Sequence, residues 1–299
     1  MDKIARSVGI HNGPFHADEI TACALLLLYD LIDRDKIVRT RDGERLKTCE
    51  YVCDVGGVYE PSLKLFDHHQ AHYTGYLSSA GMILAYLKSE ELIDQEEWAF
   101  FQDFLVKGVD DHDNGRSPQI PGLCTFSHVI ANFSPISYET SEEELLKAFF
   151  EALDFAYGHL RRLKERFAYS AQCRGIVKEV MKKYQTCLIF DRSIPWQESF
   201  FALGGESHPA LFVVMPAGNQ WKLRGIPPSY DNRMKVRLPL PEEWAGLLDK
   251  ELKEVSGIQG AIFCHKGKFT SVWESREDAL TALSFVLKIN GIENHDNSL

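Results

Sequence analysis

The stretch SVGIHNGPFHADEITACALLLLYDLI, Ser7 to Ile32, decides the fold. Ser7 to Ile10 has the apolar character of a strand, and a helix-period segment from Asp18 to about Ile32 follows across a Gly-Pro turn. His11, His16, Asp18 and Glu19 sit between the two, at the strand's end. Working outward, Lys36 to Thr40 and Glu50 to Val55 read as further strands, which completes a β-α-β pattern. That pattern predicts an α/β fold with a mainly parallel sheet flanked by helices and with functional groups in the loops beyond the strands' C-terminal ends. A short strand at Lys64 to Phe66 leads into Asp67. Ser78 or Ser79 is placed to cap a helix through Ala80 to Leu87, and another helix near Glu96 to Lys107 is expected to end at Gly108.

Further along, Leu145, Leu146, Phe149, Phe150, Leu153 and Phe155 recur near the helical period, so Ser141 to Lys183 is predicted to be largely helical. After Thr186 the texture changes to strand runs at Cys187 to Phe190, Ala210 to Met215, Gln220 to Ile226 and Gly260 to Cys264. A helix around Glu277 to Leu287 closes the chain. The expected organisation is a metal-binding catalytic domain at 1–140, a helical connector at 141–185 and a smaller C-terminal α+β substrate-binding domain at 186–299.

Of the 299 residues, 44% are hydrophobic and 25% charged, the balance of an ordinary globular chain. The longest apolar run, Ala22 to Leu28, is far short of a membrane span. No signal-peptide pattern opens the sequence, and the seven cysteines include no C-x-x-C pair, so a cytoplasmic location with reduced thiols is expected. A net charge of −10 argues against broad adsorption to nucleic acid, so a phosphate substrate has to be met locally, by bound cations or a confined basic patch.

Four places in the N-terminal half set His or Asp immediately after a predicted strand: His11 to Glu19, Asp54-Val-Gly-Gly57, Asp67-His68-His69, and Asp110 to Gly115. Singly, each has a plain structural reading. Asp18 suits an N-cap, and Asp54-Val-Gly-Gly and Asp-Asn-Gly suit turns. Together they are harder to explain so, because turns have no reason to collect His and Asp at successive strand ends. Such a mixed set suits two divalent ions, Mn, Fe, Zn or Mg, with Asp54 at the centre as the bridging carboxylate. Two ions answer the chemical problem of an anionic phosphodiester, since they acidify a water and neutralise the charge that develops on oxygen.

The ordered motifs VGIHNGPFHADE, IVRTRD, CDVGGVYEP, FDHHQ, LSSAG and VDDHDNG, then LPLPEEWAGL, SGIQGAIFCHKGKF and REDAL, span nearly the whole chain. They resemble the melanocyte-proliferating-gene (Myg) family within the DHH phosphoesterase superfamily. The resemblance implies that His11, His16 and Asp54 hold one metal, that Asp18, Asp54, His68 and Asp110 hold the other, and that His69 faces the scissile phosphate. Asp111 and Asp113 compete with Asp110 for the last role. The superfamily usually has an Asp where this chain has His16, a change that tilts selectivity from Mg toward Mn, Zn or Fe, with Mn expected first.

In the C-terminal half Lys222, Arg224, Arg233, Lys235 and Arg237 form a basic run interleaved with Trp221 and Tyr230, a texture that grips a single strand or simply faces solvent. His265-Lys266-Gly-Lys268 reads as a phosphate-binding turn or as a hairpin turn. Arg224, His265, Lys266 and Lys268 are the candidate substrate-binding residues. Cys23 and Cys264 fall in apolar elements and lack a nucleophile's surroundings.

The expectation is therefore a metal-dependent phosphoester hydrolase, with Asp54 and His69 at its catalytic centre. Its substrate is RNA, DNA or a short oligonucleotide clamped between the domains, and the resemblance implies digestion from the 3' end. A phosphatase or pyrophosphatase acting on a small nucleotide is the alternative enzyme. A non-catalytic nucleotide- or metal-binding regulator is the alternative from another class. A homo-oligomer is compatible with either, and no membrane partner is expected.

Overall fold

The computed structural model describes residues 3–137, 139–232 and 235–296. The chain divides into two compact units, with the division at Phe167/Ala168.

The first unit runs β1 (Ile4–Ile10), α1 (Ala17–Leu28), β2 (Ile37–Arg39), α2 (Gly43–Lys47), β3 (Cys49–Cys53), β4 (Tyr59–Glu60), β5 (Leu65–Phe66), α3 (Ser79–Ser89), α4 (Gln95–Phe101), α5 (Lys107–Asp113) and α6 (Phe126–Ala131). Its sheet has the order β2-β1-β3-β5-β4. All neighbours are parallel except the edge pair β4-β5. The strand order reverses at β1, which has β2 on one side and β3 on the other, with Gly9 in register with both Val38 and Val52. Such a switch point opens a crevice at the strands' C-terminal ends. His11 follows β1 there and Asp54 follows β3.

Helix α1 stops four residues earlier than its leucine run suggests. Asp30 is left-handed (φ 58), its N–H donates to Leu27 O at 3.1 Å, and the Leu31 N–H donates to Leu26 O at 2.9 Å. This paired closure satisfies the last carbonyls and ends the helix whatever the side chains that follow. Ten of the twelve α1 residues are buried, and the helix packs against α3, α5 and α6 over a core that includes Val8, Ile10, Ile20, Leu25 and Phe101.

The expected stop at Gly108 does not occur. A π-helical turn over Gln102–Val106 joins α4 to α5, and the helix runs on to Asp113. The VDDHDNG segment is therefore mostly helical and does not follow a strand.

The expected connector is one helix, α7 (Glu142–Lys183), and the division between units falls inside it. Ala148, Phe149, Leu153 and Leu160 belong to the first core, Cys173 and Val177 to the second. The second unit continues with β6 (Cys187–Ile189), α8 (Gln197–Ala202), β7 (Phe212–Ala217), β8 (Gln220–Gly225), α9 (Asp249–Ser256), β9 (Ala261–Cys264), β10 (Thr270–Trp273) and α10 (Arg276–Ile289). Its sheet order is β6-β7-β8-β10-β9, with β6-β7 parallel and the other pairs antiparallel. Strand β10 has no counterpart among the sequence-based expectations. Among the described residues no helix is long and apolar enough to cross a membrane.

Candidate metal centre

Three groups of side chains offer ligand atoms that lie within 4.8 Å of one another: His11, His16, Glu19 and Asp54; Asp54, His68 and His69; and Asp18, His68 and Asp113. Asp54 and His68 are shared, so the three make one cluster. Its members His16, Asp18, Asp54, His68, His69 and Asp113 line a cleft of about 440 Å³ together with Phe15, His112 and Ser127.

Each position has a local cause. Asp54 leaves β3 in a left-handed conformation (φ 55), tolerable for Asp and Asn but costly for most residues. This turns its carboxylate toward its neighbours, with Oδ2 3.2 Å from His11 Nε2 and Oδ1 3.3 Å from His68 Nε2. His11 places its Nδ1 3.1 Å from Asn12 O, which points Nε2 into the cluster. Helix α1 begins at Ala17 with His16 at its N-cap, so Asp18 lies inside the first turn and is not the cap. Glu19 takes the backbone N–H of His16 at 2.9 and 3.0 Å and stands 3.0 Å from His11 Nε2, which ties the loop to the helix. Asp67 accepts from Gly57 N at 2.5 Å and from the His69 ring nitrogen Nδ1 at 2.8 Å, so it orients the His69 ring, whose side chain is 63% exposed.

The three aspartates after the π turn take different directions. Asp113 Oδ2 is 3.2 Å from His68 Nε2. Asp110 Oδ1 instead accepts from Ser78 N, Ser78 Oγ and Gly81 N at 2.7–3.1 Å, capping α3. Gly81 permits this approach, because a Cβ there would stand 2.3 Å from the carboxylate. Asp111 pairs with Arg116 at 3.1 Å. The structure thus brings His11, His16, Asp18, Asp54, His68 and His69 together, adds Glu19 and Asp113, and turns Asp110 to a neighbouring helix end. Glu19 did have a sequence signal, since a Glu three residues after an N-cap position is a capping pattern.

The electrostatics are those of a cation site. Burial, then the charges of Asp54, Glu19 and Asp113, holds the Asp18 carboxyl well above the usual range. Burial opposes charge on His11, but hydrogen bonds to Asp54 and Glu19 outweigh it and raise its pKa to about 10. Burial likewise disfavours the Asp54 carboxylate, yet its hydrogen bonds with His11 and His68 win and lower its pKa. Burial pushes the Asp110 carboxyl up to about 6, against the hydrogen bonds from Ser78 and Gly81. Both Asp18 oxygens are buried without a hydrogen-bond partner, as is Asp110 Oδ2. An unpartnered buried polar atom costs about 1–3 kcal/mol, a cost that divalent cations among these mixed N and O donors would remove. The residues fit the metal that the motifs imply.

A model of the family described as Uncharacterised protein family (UPF0160), the MYG1 exonuclease model, matches residues 7–284. The chain belongs to the MYG1 exonuclease family. The MYG1 protein of Chlamydia muridarum is 55% identical over 97% of this chain and 99% of its own length. The human MYG1 exonuclease is 32% identical over 92% of this chain and 84% of its own. Among solved structures, a crystal structure of exonuclease RecJ bound to manganese covers 99% of this chain and 93% of that one, at 13% identity and a TM-score of 0.31. That likeness is too remote to bear on the site. The MYG1 match takes in every residue of the cluster, from His11 to Asp113.

The C-terminal candidates also meet in part. His265 to Lys268 forms the β9-β10 hairpin turn, closed by His265 N to Thr270 O and Lys268 N to His265 O. The His265 ring packs tilted against Phe269 with ring centroids 4.3 Å apart, and the Arg224 guanidinium lies 5.8 Å from the same Phe269 ring. Lys266 is exposed, while Lys268 pairs with Glu242. Arg237 is committed elsewhere, donating to Gly205, His208, Ala210 and Pro227 carbonyls at 2.5–3.2 Å. Arg233 lies outside the described residues. Cys23 and Cys264 are buried, and burial raises both thiols, that of Cys264 to about 11, so neither is poised as a nucleophile.

Proposed function

We propose that this chain is a divalent-metal-dependent phosphodiesterase of the cytoplasm that removes nucleotides from the 3' end of single-stranded RNA or DNA, with manganese as its resident metal. The observation that carries the reading is the convergence around Asp54 of imidazoles and carboxylates from three other segments, with the buried, unpartnered oxygens of Asp18 among them. The nucleic-acid substrate is inferred from the exonuclease name that the mammalian relatives bear. His11, His16 and Asp54 would hold one ion, and Asp18, Asp54, His68 and Asp113 the other. Bound there, the ions supply an acidified water and a counter-charge to the phosphodiester.

The protein's own groups do the rest. Asp54 is common to both ligand sets and fixes their separation. Glu19 holds the loop that carries His11 and His16. Asp67 fixes one ring nitrogen of His69 and leaves the other to the phosphate, in a cleft that excludes most water from Asp18 and Asp54. Arg224, His265, Lys266 and Lys268 of the second unit are proposed to contact the strand's backbone.

The direct test offers labelled single-stranded RNA, a dinucleotide and pyrophosphate to the purified protein with manganese. Release of mononucleotides from the first two is expected. Hydrolysis of pyrophosphate alone would move the chain to the small-nucleotide phosphatases. No hydrolysis despite stoichiometric metal binding would leave it a binding protein.

The two aspartates separate by variant. Asp113→Ala is expected to weaken metal binding by more than about 100-fold, read by titration calorimetry, with little change in the metal-free melting point. Asp110→Ala is expected to cost about 2 kcal/mol of stability, read by thermal denaturation, because Ser78 and Gly81 lose their acceptor. The reverse pattern would return Asp110 to the ligand set. Lys266→Ala and Arg224→Ala should each lower the slope of log affinity against log salt for a single strand by about 0.7, measured by fluorescence anisotropy. An unchanged slope would remove that residue from the interface.

A further inference from the structure

We propose that the Tyr76 ring and the Arg116 guanidinium form a stacking platform for a nucleobase beside the scissile phosphate, a base subsite on the metal-binding unit itself. The proposal rests on the phosphodiesterase reading and names what that site would grip besides phosphate.

Tyr76 is 73% exposed, the most solvent-facing aromatic residue among the large exposed hydrophobics of the described chain. The Arg116 guanidinium carbon lies over its ring at 4.9 Å from the centroid. Nη2 of Arg116 donates to Tyr76 O at 2.6 Å, and its Nε donates to Asp111 Oδ1 at 3.1 Å, which fixes the guanidinium plane. The loop that carries the ring is pinned as well. The Tyr73 hydroxyl donates to Leu77 O at 3.1 Å and accepts from Leu77 N at 3.3 Å. Gly75 lies so close to the Tyr73 ring that a Cβ there would stand 2.4 Å from it. A loop held at both ends and in its middle spends its order on presenting one aromatic face to water.

The platform is joined through the chain to two of the segments that build the metal cluster. Its loop starts immediately after His68 and His69 and ends at Ser78, which bonds to Asp110 on α5. Arg116 follows Asp113 by three residues, and the intervening Asn114 also reaches Tyr76 O, at 3.5 Å. Arg116 covers one face of the ring, and a base stacked on the other gains aromatic contact, while the guanidinium is at hand for a flanking phosphate. Every base has a π-face, so such a platform grips without reading sequence, as an enzyme that moves along a strand requires. It also answers how a chain of net charge −10 holds a polyanion, by a local contact in place of a general basic field.

The test is a cycle between the side chain and the base. kcat/KM is measured with manganese on a single-stranded RNA and on the same RNA made abasic at the two nucleotides nearest the cleaved end, for wild type, Tyr76→Ala, Tyr76→Leu and Tyr76→Phe. Base removal is expected to slow wild type and Tyr76→Phe by about tenfold or more and to leave the Ala and Leu variants nearly insensitive. The ratio within one enzyme does not depend on the fraction folded, and having two non-aromatic variants guards against one that fails to fold. Equal sensitivity to base removal in wild type and in the Ala and Leu variants would overturn the platform while leaving the phosphodiesterase intact. A wild type that cleaves neither RNA would overturn both.

Discussion

Asp54→Asn is expected to stay folded and lose at least about 10³-fold in hydrolysis, with metal stoichiometry falling below two. Asn is the informative replacement because position 54 is left-handed (φ 55), a conformation that Asn adopts readily and Ala does not. Asp54→Ala should be as inactive and, in addition, less stable by about 1–2 kcal/mol, so comparing the two separates backbone strain from lost charge. Both oxygens of Asp54 are engaged with imidazoles that come from different strand ends, His11 at 3.2 Å and His68 at 3.3 Å. A neutral amide still fills the space but cannot bridge two cations. Metal content measured on the purified variants, alongside hydrolysis of labelled RNA, decides the point. Two ions bound to Asp54→Asn with unchanged turnover would show that Asp54 is not the bridge.

The second large effect is on stability. A ligand that binds only the folded chain adds about 2.7 kcal/mol per site when its free concentration is a hundred times its Kd. At about 2–4 °C per kcal/mol for a unit of this size, two manganese ions should together raise the melting point by about 10–20 °C, and a chelator should reverse the gain. The gain should also depend on pH. In the metal-free protein His11 has its pKa raised from 6.5 to about 10, so its contribution is complete below the unfolded value and is lost as pH rises through 10. Asp18 is a carboxyl whose folded pKa is raised, so the folded state gives up its proton less readily and also loses stability as pH rises. Asp54 has the opposite sign, and its contribution is lost on acidification. Without metal, the melting point should therefore fall between pH 7 and pH 10. With manganese it should fall less, because the ions need the deprotonated ligands and bind more tightly as pH rises. Parallel slopes with and without metal would argue that the ions bind away from His11 and Asp18.

Much of this unit was legible in one segment. The strand, the Gly-Pro turn and the helix around His11 to Glu19 follow from apolar periodicity and turn chemistry, and the β-α-β order then places His11 and Asp54 at neighbouring strand ends. The choice among Asp110, Asp111 and Asp113 was not legible. One extra residue in a π turn rotates everything after it by about 100°, and nothing in QDFLV announces that turn, so the aspartate that faces His68 could not be found by periodicity. The early end of α1 escaped for a similar reason. The leucines continue, and the stop is made by the backbone at Asp30 and Leu31. Glu19 was visible but read as part of a motif. Strand β10, four residues long, takes its identity from pairing with β8 and β9, which is information held elsewhere in the chain.

The switch point between β1, β2 and β3 has a consequence for biosynthesis. Successive members of the set His11, Asp54, His68 and Asp113 are 14 to 45 residues apart, and the parallel sheet must be in register before His11, Asp54 and His68 meet. A nascent chain shorter than 113 residues lacks part of the set, and an unfolded chain scatters it. Metal capture should therefore be a late event that follows tertiary assembly, so that the cation is acquired by a finished fold and does not act as its template.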